Sequence, residues 1–138
     1  MFTNIKKQAT DPEIIKLLSA CIYEYSIERA TAEAKNYQLH DERFLYGWLE
    51  NDKILAVCGG ELQSGVVIIR HIAACENLRG QGIGCKMISA LQWQYNLPIQ
   101  AETDDDAIDF YRKCGFETTV IRKHNMRRWV CLLPVNIT

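Results

Sequence analysis

The sequence lacks the features that mark exported, membrane-spanning or nucleic-acid-binding chains. None of its apolar runs approaches the roughly 18 residues that a membrane span needs. No apolar stretch follows the lysines near its start, as a signal peptide would require. Positive charge is not in excess, because 16 Lys and Arg stand against 17 Asp and Glu, for a net charge of -1. We therefore expect a cytoplasmic protein that binds neither a membrane nor nucleic acid.

The six cysteines carry none of the spacings that hold a metal. There is no C-x-x-C pair and no Cys/His cluster at zinc spacing, so we expect no metal site. Without an export signal, we expect all six to be reduced thiols, mostly buried. They are Cys21, Cys58, Cys75, Cys85, Cys114 and Cys131. Asp104, Asp105 and Asp106 could also suggest a metal site, but we interpret them as the start of a helix.

Proline and glycine do not gather into a linker. The 138 residues include 3 Pro and 8 Gly, and no repeat or low-complexity tract divides the chain. We therefore predict one domain over residues 1–138, long enough to bury a core unaided. The alternation of apolar periods predicts an α/β fold of order β-αα-βββ-α-β-α-ββ, with a mixed sheet and helices on both faces.

The first half of the chain carries clear helix signals. Thr10 and Glu13 match a capping box, and Pro12 lies near the first helical position. Apolar residues then recur at helical spacing, and no Pro or Gly follows until residue 47. This length predicts two helices, with a bend near Ser26 and an end before His40.

Strand patterns fill most of the remainder. Asn51 and Asp52 separate two apolar runs, which is typical of a β-hairpin. The run after the next turn is apolar on both faces, so we expect it to be a central strand. The predicted strands cover residues 44–49, 53–62, 66–74, 98–101, 116–121 and 126–133. Further helices are predicted over residues 80–95 and 104–114, the latter stopped by Gly115.

A glycine-rich turn, residues 78–85 (LRGQGIGC), joins a predicted strand to a helix. Glycines let an anion approach the backbone, and the first N–H groups of a helix have no internal partner. The pattern predicts an anion site that would fit a pyrophosphate, with a simple tight turn as the alternative. It is not a P-loop, since no Gly-Lys-Ser/Thr follows, and its glycine spacing differs from the G-x-G-x-x-G dinucleotide fingerprint.

A second segment, residues 107–116 (AIDFYRKCGF), places a tyrosine in a helix that ends in Gly-Phe. Together with residues 72–84 (IAACENLRGQGIG), it makes the sequence resemble the GNAT superfamily, the Gcn5-related N-acetyltransferases that use acetyl-CoA. The earlier segment resembles the family's cofactor motif, Arg/Gln-x-x-Gly-x-Gly/Ala with its leading strand. The resemblance is strong over residues 66–121 and rests on element order elsewhere.

The resemblance implies a role for each matched position. Backbone groups of Ile72, Ala73 and Ala74 would pair with the pantetheine arm, where a bulge splays the fourth strand from the fifth. N–H groups of the glycine turn would hold the pyrophosphate, from Arg79, Gly80, Gln81, Gly82, Ile83, Gly84 and Cys85. Asp104 stands where the family often has an Asn that touches pantetheine, and an ionised Asp cannot donate that hydrogen bond.

Tyr111 is the expected proton donor, because the resemblance places it beside the cofactor sulfur. A phenol of pKa about 10 can protonate a leaving thiolate whose thiol has a pKa of about 8.5. Without the resemblance, a core tyrosine would be the preferred interpretation. The base that accepts the amine proton is His71, Glu102 acting through water, or less favourably Glu61. A hydrogen-bonded sheet histidine and solvated carboxylates are the alternatives.

The expected reaction is direct transfer of acetyl from acetyl-CoA to a primary amine, on a small molecule or a chain terminus, within a ternary complex. A binding module that senses acyl-CoA without turnover is one alternative, and a ping-pong acyltransferase using Cys75 and His71 is another. Acidic residues near the expected acceptor side favour a cation: Glu24, Glu28, Asp41, Glu42 and Glu61. A basic cluster near the last hairpin is interpreted as a solvated face, and we allow for a homodimer.

Overall fold

In the part of the chain that the structure describes, seven strands join in one mixed sheet, in the order β1-β2-β3-β4-β5-β7-β6. The computed structural model describes residues 1–22 and 26–135. The strands are β1 (Phe2–Asn4), β2 (Arg43–Glu50), β3 (Lys53–Gln63), β4 (Val66–Ala74), β5 (Ile99–Thr103), β6 (Glu117–Lys123) and β7 (Met126–Leu133). Strand β4 lies fourth of the seven, which confirms the central position predicted from its apolar faces.

Within residues 1–22 and 26–135, four α-helices cover the two faces of this sheet. They are α1 (Pro12–Ser19), α2 (Ile27–Leu39), α3 (Ile83–Tyr95) and α4 (Ile108–Lys113). Helices α1 and α2 pack on one face around Leu45 and Val57, whereas α3 and α4 pack on the other around Ala56 and Cys58. Successive strand residues point to opposite faces, so one strand serves both cores. The predicted order of elements and the two-sided arrangement are confirmed.

The start of α1 differs from the prediction. Its N-cap is Asp11 and no side chain caps it, so the capping box of Thr10 and Glu13 does not form. The break between the first two helices lies where it was predicted, because the Ser26 side chain accepts a hydrogen bond from the Arg29 N–H and begins α2. Tyr25, expected on the apolar face of the first helix, lies outside the described residues.

Helices α3 and α4 are shorter than their apolar patterns predict. The glycine turn stays outside α3, which begins at Ile83 with Gly82 as its N-cap. Before α4, the Asp104 carboxylate accepts from the N–H groups of Asp106 and Ala107, which holds these residues in a turn. Across residues 1–22 and 26–135, no helix has the length and apolar character needed to span a bilayer.

Candidate active site

Strands β4 and β5 run together briefly and then separate. Their parallel pairing is confined to Val67 with Ile99 and Ile68 with Gln100. Beyond this point, β4 continues along β3 to Ala74, while β5 continues along β7 to Thr103. The sheet therefore opens into a gap between β4 and β5, as the family resemblance implies.

A bulge at the start of this gap diverts β4. Gly59 pairs with His71 and Gly60 pairs with Ile69, so Arg70 has no partner in β3. Gly60 is required there, because a Cβ on it would lie 1.8 Å from the Ile68 carbonyl oxygen. The extra residue bends β4 away from β5.

Among the described residues, the edge of β4 that borders the gap is paired with no other strand beyond Ile68. The Cys75 N–H donates to the Leu55 carbonyl, so the residue two positions earlier, Ala73, also directs its groups toward β3. By alternation, Ile72 and Ala74 direct their N–H and carbonyl groups into the gap. Of the three residues predicted to contact pantetheine, Ile72 and Ala74 therefore face the gap, whereas the backbone of Ala73 pairs with Val57.

The thiol of Cys21 reaches this same edge from the end of α1. It donates to the Ile72 carbonyl over 3.4 Å, and burial raises the pKa of Cys21 to about 11, so the thiol keeps its proton at neutral pH. Nothing in the sequence pattern marks Cys21 as a neighbour of β4, because the two are 51 positions apart.

The glycine turn presents a run of free N–H groups beside the gap. Gly80 and Gly82 have φ values of 83° and 82°, a region that favours glycine and lets the chain curl before α3. The first N–H to donate into the helix is that of Lys86, to the Gly82 carbonyl. The Arg79 N–H is used, since it donates to Glu76. Within the described chain, the N–H groups of residues 80–85 donate no hydrogen bond.

Gly84 has a packing role that its motif does not reveal. A Cβ on Gly84 would lie 2.5 Å from the Phe110 ring, so glycine lets the first turn of α3 approach α4. This contact brings the glycine turn next to the helix that carries Tyr111.

A disulfide joins the same two elements and corrects the expectation of six reduced thiols. Cys85, in the first turn of α3, is bonded to Cys114, the C-cap of α4, with 5.3 Å between their Cα atoms. The pairing depends on how α3 and α4 pack, which a separation of 29 residues does not disclose. Cys21, Cys58, Cys75 and Cys131 are free thiols.

Tyr111 lies on the buried side of α4. Its ring makes edge contacts with Phe110 and Phe116, and 6% of the residue is exposed. Burial raises the pKa of Tyr111, and Cys58, Cys131, Cys21 and Asp104 raise it further. Cys58 is on β3 and Cys131 is on β7, so Tyr111 lies near strands on both sides of the gap. Its hydroxyl is protonated at neutral pH and has no hydrogen-bond partner among the described residues.

His71 does not present a free base. Its Nδ1 bonds the Tyr37 hydroxyl at 2.5 Å, and its Nε2 lies 3.7 Å from the Glu33 carboxylate. Burial lowers the pKa of His71 to about 4 and raises that of Tyr37, so both are neutral at pH 7. Tyr37 then donates to Nδ1, and the Nε2 proton faces Glu33. The alternative interpretation, a hydrogen-bonded sheet histidine, describes this geometry.

The candidate carboxylates are also engaged. Glu102 pairs with Lys123 at 3.5 Å and Arg128 at 3.3 Å, which also neutralises part of the basic cluster near the last hairpin. Glu61 pairs with Arg70 at 2.8 Å.

The remaining candidate side chains lie apart from the gap or bind other residues. Cys75 directs its thiol toward the Ile54 carbonyl at 3.8 Å, so it forms no nucleophile pair with His71. Among the acids expected near the acceptor, Glu28, Asp41 and Glu42 are exposed, and Glu24 lies outside the described residues. Asp105, the middle acid of its triplet, binds Arg127 and the Trp129 N–H. Within the described ranges, no group of His, Cys, Asp and Glu is arranged to hold a metal ion.

The arrangement combines a split sheet, a strand edge that faces the gap and a glycine turn with unpaired N–H groups. Comparison with known proteins identifies the class of this domain. The family model described as "Acetyltransferase (GNAT) domain" matches residues 40–118, which is more than half of the chain. The chain therefore belongs to the GNAT acetyltransferase domain family.

Solved structures share the fold at low sequence identity. An aminoglycoside 6'-N-acetyltransferase complexed with coenzyme A has a TM-score of 0.80 and 14% identity, and the match covers 100% of this chain and 98% of that one. The Enterococcus faecium aminoglycoside 6'-N-acetyltransferase has a TM-score of 0.78 and 14% identity, and the match covers 100% of this chain and 98% of that one. The Escherichia coli ribosomal-protein-S18-alanine N-acetyltransferase has a TM-score of 0.72 and 14% identity, and the match covers 100% of this chain and 95% of that one.

Proposed function

We propose that this protein is an N-acetyltransferase that moves the acetyl group of acetyl-CoA to a primary amine by direct attack in a ternary complex. The observation that carries the proposal is the continuity of two features. The free edge of β4 at Ile72 and Ala74 leads, within a few residues, into the unpaired N–H groups of residues 80–85. Such a surface suits a ligand with an amide-bearing arm and a pyrophosphate.

Each part of acetyl-CoA has complementary groups in this arrangement. The amides of the pantetheine arm would pair with Ile72 and Ala74 as an added strand, and the Cys21 thiol would share or yield the Ile72 carbonyl. The pyrophosphate would accept from the glycine turn, where the α3 dipole adds favourable potential. Asp104 would not contribute the amide donor of the related proteins, and its Oδ1 is already used at the start of α4.

The reaction needs one proton delivered and one removed. The amine attacks the thioester carbonyl, whose developing negative charge strand N–H groups can stabilise. The C–S bond then breaks, and the protonated Tyr111 hydroxyl gives its proton to the leaving sulfur. Since His71, Glu102 and Glu61 are engaged with other side chains, we assign removal of the amine proton to water, through which it returns to the Tyr111 phenolate and restores the hydroxyl.

A glutamate in the glycine turn tests cofactor binding. We expect Gly82→Glu to weaken acetyl-CoA binding about tenfold or more, because a carboxylate beside the pyrophosphate costs roughly 1–3 kcal/mol. Gly65→Glu is the matched control: its φ of 78° is similar to the 82° of Gly82, and neither position has an atom within 4 Å of an added Cβ. Gly84→Glu is avoided because of the clash with Phe110.

Isothermal titration calorimetry on folded variants measures this difference. Equal affinity in Gly82→Glu and Gly65→Glu would contradict binding of the pyrophosphate at the turn. Failure of the unsubstituted protein to bind acetyl-CoA would contradict the proposed function as a whole.

A second function is favoured by one observation: the side chains considered as a base are all engaged. A domain of this kind could bind acyl-CoA without turnover. A thiol-release assay over polyamines, amino acids, aminoglycosides and peptide N-termini separates the two functions. Release with at least one amine supports the enzyme, whereas tight binding without release from any amine supports the binding module. We expect turnover of a cationic small molecule or terminal amine.

A further inference from the structure

The Cys85–Cys114 disulfide connects the two elements that would enclose the cofactor. Cys85 belongs to the first turn of α3, and its N–H is among those left free for the pyrophosphate. Cys114 caps α4, three positions after Tyr111. The bond therefore ties the anion-binding turn to the helix that carries the proton donor.

The α3–α4 approach has modest support apart from this bond. Helix α4 spans six residues, from Ile108 to Lys113, which is less than two turns. The Phe110 ring against Gly84 is the packing contact next to the bond. Ile108 and Tyr111 anchor this short helix in the core, and the covalent link in addition fixes its C-terminal end against the first turn of α3.

We propose that the Cys85–Cys114 pair is a reversible modification site through which a dithiol reductant controls cofactor affinity. This inference rests on the proposed function. The disulfide-bonded form would bind acetyl-CoA tightly, because its N–H groups at residues 80–85 are already unpaired and arranged. The reduced form would bind weakly, since the cofactor must then order the turn against α4.

The chemistry is a balanced two-electron exchange. A dithiol attacks one sulfur, the S–S bond breaks, and a second attack by the same reagent releases both protein thiols. Cys85 and Cys114 each gain one hydrogen, and the reagent becomes a cyclic disulfide. Both residues are half-buried, which leaves a route for a small reagent.

Linkage makes the proposal quantitative in two independent measurements. If the disulfide raises acetyl-CoA affinity by some factor, then acetyl-CoA must make the disulfide harder to reduce by the same factor. Couplings between sites commonly amount to about 5–150-fold. We expect about tenfold here. In the dithiothreitol experiments the probe is the thioether analogue of acetyl-CoA, because the thioester of acetyl-CoA would exchange with the reagent and release free CoA thiol, which itself reacts with disulfides.

The experiment compares the oxidised and reduced forms of the full chain. Calorimetry measures the affinity of the thioether analogue for oxidised protein and for protein reduced by dithiothreitol, with circular dichroism to establish that both are folded. Mass spectrometry then follows the disulfide in dithiothreitol redox buffers, with and without the analogue. The double variant Cys85→Ser and Cys114→Ser should bind like the reduced form and ignore reductant. Cys75→Ser, which removes a free thiol, should keep the response.

We expect the reduced form to bind about tenfold more weakly than the oxidised form. Saturating ligand should change the ratio of reduced to oxidised dithiothreitol at half-reduction by the same factor. Equal affinity in the two folded forms, or tighter binding by the reduced one, would overturn the proposal while leaving the proposed function intact. Two thiols that no oxidant can link would overturn it as well. If neither form bound acetyl-CoA, the proposed function and this inference would both fail.

Discussion

Replacing Tyr111 by phenylalanine removes one oxygen atom and tests the assignment of the proton donor. The ring contacts of Tyr111 with Phe110 and Phe116 do not involve the hydroxyl, so a phenylalanine keeps them. No described residue loses a hydrogen bond, since the hydroxyl has no partner among them. We therefore expect the free energy of unfolding to change by less than about 1 kcal/mol. A change in activity of this variant can therefore be attributed to the missing hydroxyl and not to unfolding.

The expected loss is in kcat. General acid assistance is typically worth about 10²–10⁴-fold, which corresponds to roughly 3–5 kcal/mol of activation free energy. Acetyl-CoA affinity should change little, because donation to sulfur strengthens as thiolate charge develops in the transition state. The assay is thiol release with the best amine from the acceptor screen, combined with calorimetry for binding.

Tyr95→Phe is the matched control. The Tyr95 hydroxyl shares a hydrogen bond of 3.0 Å with the Tyr46 hydroxyl, on α3 and β2, outside the proposed site. This variant should lose about 0.5–1.5 kcal/mol of stability and keep its kcat. A folded Tyr111→Phe enzyme with kcat within about threefold of the unsubstituted protein would refute the acid role, since loss of an acid should exceed that. Water would then protonate the sulfur.

Three further predictions concern stability and binding. The folded pKa of His71 is about 4 against an ordinary 6.5, so the unfolded chain binds more protons between these values and stability falls as pH drops from about 6.5 to 4. His71→Gln should remove that part of the slope, by up to about 3 kcal/mol in urea unfolding at the two pH values, whereas the exposed control His40→Gln should keep it. Gly60→Ala should lower the free energy of unfolding by more than about 3 kcal/mol or prevent folding, because its Cβ would overlap the Ile68 carbonyl. Gly65→Ala, in the open turn, should lower it by about 1–2 kcal/mol. Chemical denaturation measures both losses, and similar values would refute the steric argument. Asp104→Asn should keep the hydrogen bonds before α4, because the amide Oδ1 accepts them as the carboxylate does. The added N–H donor should lower the KM for acetyl-CoA about 2–10-fold. An unchanged KM would show that residue 104 does not contact the pantetheine arm.

Much of the fold could be predicted from local signals. Asn51 and Asp52 adopt positive φ values at the tip of the β2–β3 hairpin, as their residue types favour. Strand β4 and strand β7 have the predicted bounds, 66–74 and 126–133. Two helix starts were predicted wrongly, because neighbouring residues offered more than one start. Helix α1 begins after Asp11 without the capping box of Thr10 and Glu13, and α4 begins later than predicted because Asp104 holds the preceding residues in a turn.

The candidate site divides in the same way. The places of the glycine turn before α3 and of Tyr111 on α4 could be predicted, because a segment of consecutive residues carries each signal, whereas their roles stay predictions. The availability of Ile72 and Ala74, but not of Ala73, depends on the ladder with β3. The engagement of His71 with Tyr37 depends on α2 lying over the sheet, 34 positions away along the chain.

The sequence by itself determined the order of elements, the glycine turn before α3 and the family resemblance, because glycine conformations, apolar periods and helix ends are set by neighbours along the chain. The tertiary structure decided which groups meet: Cys85 with Cys114, Cys21 with Ile72, and Glu102 with Arg128. Each pair comes from different elements, and a contact of this kind depends on packing angles and strand register. Those quantities are set by the whole core, so composition and spacing do not specify them.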